Sequence, residues 1–163
     1  MEELEPAKCI WIVRNYDHVV NSMLVSFANH AKQVLRVAED RLSDGWKGEG
    51  MSDQTHALVR KLAHPAINDA SAAALIWYFR NVLFFEHEFD RDPRVLLVSY
   101  ESLAARPRSE FGRVFDFLGL DYSPRISAQV FRSHRGRQPK PIDRKVKEIC
   151  VDLTARFNAL TTP

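Results

Sequence analysis

Five consecutive apolar residues, Cys9 to Val13, make the first patterned segment of the chain, and their β-branched and aromatic content suits a strand covered on both faces. The period then changes. Val20, Met23, Leu24, Phe27, Ala31, Val34, Leu35 and Ala38 recur at steps of three and four, placing one apolar stripe on a helix predicted from about Asp17 to about Asp40. The segment Ser43 to Ser52 (SDGWKGEGMS) holds three of the six glycines and reads as a loop free to move. A second helix, with Asn68 or Asp69 as its N-cap, carries Leu75, Ile76, Phe79, Val82 and Leu83 on one face. Trp77, Phe84 and Phe85 widen that face, which predicts burial on more than one side. Val95 to Val98 form a second short strand after the turn-forming Asp92 and Pro93. Phe111, Val114, Phe115 and Leu118 mark a further amphipathic helix, and Gly119 stands where a C′ residue with positive φ belongs, folding Leu120 back towards Phe115. From Ser123 to Pro141 there is no periodicity, and Ile142, Val146, Ile149, Cys150, Leu153 and Phe157 then set up a terminal helix.

Strands alternating with helices predict an α/β fold of three layers, α/β/α, around a parallel sheet, with the ligand crevice at the carboxyl ends of the strands. Two strands are too few for a freestanding sheet of this kind, so the sheet is expected to be incomplete. A length of 163 residues, 45% hydrophobic, fits a single domain over 1–163 that buries about 70% of its unfolded surface. Charged residues make up 27% of the chain and the net charge is +2, which excludes a disordered polyelectrolyte and falls short of a nucleic-acid-binding footprint. No apolar run reaches the ~18 residues of a membrane span and the opening MEELEPAK is acidic, so a cytoplasmic protein is expected. Cys9 and Cys150 read as buried free thiols with no metal-ligand spacing. There is no internal repeat.

The segment from Trp11 to Ser26 carries the most chemistry. Arg14 stands at the end of the apolar strand, and Ser22 lies on the following helix. A guanidinium at a strand's carboxyl edge, the free N–H groups of a helix start and a hydroxyl one to two turns along suit an anion. Arg14 paired with a carboxylate and Ser22 solvated is the other reading of the same spacing. His18 is the one histidine beside this position, either as a proton acceptor or as a helix-entry residue bonding the first turn. The other five read as surface or packing residues, His87 with a neighbouring acid as partner.

These residues resemble the second nucleotide motif of sulfotransferases that use 3′-phosphoadenosine 5′-phosphosulfate (PAPS), an apolar strand followed by R-N-P-x-D-x-x-x-S. Here Tyr16 replaces the proline and His18 the aspartate. By that resemblance Arg14 and Ser22 hold the cofactor's 3′-phosphate. A second block, Val95 to Leu120, is similar to the family's strand, Y-E-D-L, proline, amphipathic helix and F-L-G, which implies Tyr100 as an aromatic wall near the adenine. A half-buried aromatic with a locally satisfied hydroxyl is the alternative for Tyr100. A third region, Arg132 to Lys140, resembles the family's basic loop over the 3′-phosphate, with Arg135, Gly136 and Arg137 as the nearest match, or else is a solvated basic loop. Trp77 and its aromatic neighbours read as core. The resemblance runs from about Lys8 to about Leu160 and implies a P-loop-NTPase-like sheet without the amino-terminal strand, the phosphosulfate-cradling turn or the family's general base. The function it implies is binding of the 3′-phosphoadenosine end of PAPS or of its product adenosine 3′,5′-bisphosphate (PAP). Sulfuryl transfer to a hydroxyl or amine then needs the missing upstream half, which precedes this segment in the same polypeptide, comes from another, complementing chain or has been lost. The rival expectation is an inactive relic serving as a homodimerisation or protein-interaction module, and no residue of this chain is assigned as catalytic.

Overall fold

The computed structural model describes residues 7–130 and 140–161. Strand β1 (Cys9–Val13) pairs in parallel with β2 (Val95–Ser99), Cys9 opposite Val95 and Val13 opposite Ser99. Between them run α1 (Tyr16–Ser26), α2 (His30–Glu39), a 3₁₀ turn (Gly45–Gly48), α3 (Asp53–Leu62), α4 (Asp69–Asn81) and α5 (Leu83–Glu86). After β2 come α6 (Tyr100–Ala105), α7 (Pro107–Leu118), α8 (Pro124–Ser127) and α9 (Arg144–Thr161). The alternation of side chains along a strand sorts the two faces. Trp11, Val13, Val95 and Leu97 join the main core built on α4 and α9, whereas Val98, fully buried, lies on the other face, where α7 packs on β2. Helices therefore cover both faces of a small parallel sheet, the expected three-layer arrangement with few strands. Among the described residues no helix is long and apolar enough to cross a membrane.

Helix α4 is the centre. Its sequence DASAAALIWYFRN is small at one end and aromatic at the other, which lets α1, α2 and α9 approach closely, and residues 70–77 together with Phe79 are buried. Asn68 is the N-cap, its side chain accepting from the Ser71 N–H at 2.8 Å. At the aromatic end Phe84 meets Trp11, Phe85 and Phe157 with ring centroids 5.5, 5.2 and 5.4 Å apart. Gly119 adopts φ 72°, and the Leu120 N–H returns to the Phe115 carbonyl at 2.9 Å, the designed stop read from the sequence.

The single helix expected from Asp17 to Asp40 is two helices. Phe27 is extended and Asn29 is left-handed (φ 66°, ψ 30°), a conformation that asparagine tolerates. The break turns Phe27 out, 67% exposed, while Val20, Val34 and Val37 stay in the core. The loop expected to move is pinned instead. The Arg80 guanidinium donates to the carbonyls of Trp46, Lys47 and Glu49 and lies 4.8 Å from the centroid of the Trp46 ring. Helix α3 had no place in the sequence pattern; Ser52 caps it by accepting from the Thr55 N–H at 3.1 Å, and Glu86 accepts from both hydroxyls.

Both thiols are free, Cys9 half-buried and Cys150 buried against the Ala74 carbonyl. Burial, with a smaller push from Asp17, drives the Cys150 thiol up to about 12 from an ordinary 9.0. Native protein at pH 8 is expected to react with a thiol reagent at Cys9 and not at Cys150. Because the unfolded thiol ionises first, folding is opposed progressively as pH rises from about 9 to about 12. Equal labelling of the two cysteines in native protein, read by mass spectrometry, would overturn this.

Candidate functional site

The two strands end side by side at Val13 and Ser99, and a crevice of about 110 Å³ opens there. Arg14, Asn15, Ser99 and Glu101 line it from the strand ends, Trp77 from α4, and Thr154, Asn158 and Thr161 from α9. A wider recess of about 410 Å³, with Ser102, Arg106 and Arg113 in its wall, shares Ser99 and Thr161 with the crevice.

Arg14 is held by its backbone, its carbonyl accepting from the Trp77 indole N–H at 3.0 Å. Trp77 is thus both core, as expected, and the support of the strand end. The Arg14 side chain stacks on the Tyr100 ring, 4.5 Å from centroid to guanidinium carbon. Its Nε is buried without a hydrogen-bond partner among the described residues. A buried donor left unpaired costs roughly 1–3 kcal/mol, and no carboxylate among the described residues pairs with this guanidinium. Among the described residues, carboxylate pairing, the other sequence reading of Arg14, is therefore absent. Tyr100 is 38% exposed and its hydroxyl bonds to no described residue, so it is not locally satisfied either.

The helix start differs from expectation. Asn15 caps α1, its side chain accepting from the Asp17 N–H at 2.9 Å. The Asn15 N–H donates to Oε1 of Glu101 at 3.1 Å, and the same oxygen meets His18 Nδ1 at 3.2 Å. The positive end of α1 thus already holds a carboxylate of the protein, as the helix dipole favours. His18 is a helix-entry residue, bonded to α6 and not to its own first turn. Ser22 is half-buried, lines no part of the crevice and bonds to no described residue; it stands one turn beyond His18 on the same face of α1.

The structure therefore brings Arg14 and Tyr100 together, and leaves Ser22 along the helix. Arg135, Gly136 and Arg137 lie outside the described residues. Glu101 and the α9 residues were missed, although Thr154, Asn158 and Thr161 repeat at i, i+4 and i+7, a polar stripe legible in the sequence. His87 bonds the Gly50 carbonyl at 3.0 Å and not an acid, because the turn folds back over α5. His30 is a packing residue, 1% exposed.

The family model described as the sulfotransferase domain matches residues 3–149. No curated protein sequence matches the chain. Among solved structures, the sulfotransferase domain from the curacin biosynthetic pathway is similar, with a TM-score of 0.55 and 14% identity over 94% of this chain. The chain spans 56% of that domain's length. A match across most of the chain, joined to a shared fold, places this protein in the sulfotransferase domain family.

Proposed function

We propose that the chain binds the 3′-phosphoadenosine part of PAPS, or the product PAP, at the strand-end crevice. Arg14 takes the 3′-phosphate and Tyr100 walls the adenine, and by the family resemblance Arg135, Gly136 and Arg137 supply a basic loop; Ser22, outside the crevice lining, is assigned no contact. The observation that carries the reading is the Arg14 guanidinium, stacked on Tyr100 at the carboxyl edge of two parallel strands with its Nε unpaired. An arginine fork suits phosphate oxygens, and crevices at such strand ends are where α/β sheets bind ligands. The crevice alone is smaller than the ~300 Å³ lower limit of small-molecule pockets, while the adjoining recess of about 410 Å³ falls inside that range. PAPS, when bound, supplies the sulfuryl group that passes to an acceptor hydroxyl or amine. This chain's own share is to bind and orient the nucleotide.

Calorimetric titration of the full chain with PAP and with adenosine 5′-monophosphate tests the reading. PAP is expected to saturate one site and the monophosphate, which lacks the 3′-phosphate, to bind at least tenfold more weakly, about 1.4 kcal/mol. Equal affinity for the two, or none for PAP, rules the assignment out.

A further inference from the structure

The recess beside the crevice takes its charge from one helix. Arg106, the residue before α7, and Glu110 and Arg113 within it stand at steps of four and three, so their side chains meet on one side of that helix. Glu110 is the buried member, 9% exposed. Both of its carboxylate oxygens are taken, Oε1 by Arg106 Nη2 at 3.3 Å and Oε2 by Arg113 Nη2 at 3.1 Å. Arg113 Nη2 also donates to the Leu97 carbonyl at 3.1 Å, which ties that guanidinium to β2. The arginines are not used up. Both side chains stay about half exposed, and their Nε and Nη1 atoms, like the Ser102 hydroxyl in the same wall, bond to no described residue.

Among the described residues that line the two joined spaces, Arg14 and Glu101 balance in the crevice, while the recess sets two guanidinium groups against one carboxylate. Asp17, in the first turn of α1, lines neither space. The surplus positive charge therefore sits in the recess. A buried carboxylate that bonds both arginines also holds them in one arrangement, so less side-chain freedom is lost when an anion arrives.

We infer that the recess is a second anion subsite, which takes a tetrahedral oxyanion, phosphate or sulfate, between Arg106, Arg113 and Ser102. Guanidinium forks suit such oxygens, and three separate donors match an anion with more than two of them. Two sources carry this chemistry. One is the 5′-phosphate of the nucleotide whose 3′-phosphate lies at Arg14, in which case the subsite rests on the nucleotide reading above. The other is an acidic group on a second molecule, the acceptor, and then it stands without that reading.

The test follows the arginine Nε–H signals of the full chain by NMR while sulfate replaces chloride at constant ionic strength. The Arg106 and Arg113 signals, assigned by their loss in Arg106→Gln and Arg113→Gln, are expected to shift and saturate. Arg106→Gln removes one exposed guanidinium and leaves Arg113 on Glu110. It is expected to raise the half-saturating sulfate concentration, read at the Arg113 signal, by about tenfold, the low end for one hydrogen bond to a charged group. Circular dichroism confirms that the variant is folded. PAP and adenosine 3′-monophosphate then separate the sources. Shifts with PAP and not with the 3′-monophosphate assign the recess to the 5′-phosphate, whereas sulfate that still saturates both signals on PAP-bound protein assigns it to a second molecule. Signals that neither saturate with sulfate nor respond to PAP overturn the subsite, as does equal half-saturation in parent and folded variant. If sulfate saturates the recess and PAP binds nowhere, the nucleotide reading falls and the subsite stands.

Discussion

Arg14→Ala is expected to weaken PAP binding at least tenfold, about 1.4 kcal/mol, without unfolding the protein. The substitution spares the Trp77 bond, because the indole donates to the backbone carbonyl of residue 14 and not to its side chain. What is lost is the guanidinium over Tyr100 and its unpaired Nε. Arg14→Lys keeps the charge without the planar fork, so it should fall between parent and alanine. Calorimetry at fixed pH, with circular dichroism to confirm the fold, makes the measurement. Equal affinity in parent and alanine variant would remove Arg14 from the site.

The largest expected loss of stability is at Phe84. It is 1% exposed and its ring meets three others, Trp11 from β1, Phe85 from α5 and Phe157 from α9. Phe84→Ala removes the ring and leaves a cavity that the sheet and two helices cannot jointly close, at about 3–5 kcal/mol. Against a total of about 5–15 kcal/mol that is a large fraction, and the melting temperature should drop by on the order of 10 °C. Urea unfolding gives the same quantity independently. A loss below about 1 kcal/mol would show that the aromatic cluster does not join sheet to helices.

Legibility in the sequence followed the range of the interactions. The Asn68 cap and the left-handed Gly119 are local, and both were readable, as were the two strands. The break at Asn29 was not, because the apolar period runs through it unchanged and only packing against α4 decides that one rod becomes two. Helix α3 was hidden behind the glycine-rich segment, although Ser52 and the apolar Leu58, Val59 and Leu62 carry its signature. At the site, Arg14 at the strand tip follows from spacing, whereas Tyr100 came through resemblance to a known family. The Glu101 bonds to Asn15 and His18 span 86 and 83 positions, and no periodicity reports on a pair that far apart.

Helix α9 presents Val146, Cys150, Leu153 and Phe157 to the core and, roughly a hundred degrees round the axis, Thr154 and Asn158 to the crevice. Holding the protein together and lining the crevice are thus written on neighbouring stripes of one cylinder. Mutational drift can remodel the second stripe, and with it the shape and polarity offered to a ligand, while the first keeps the helix docked.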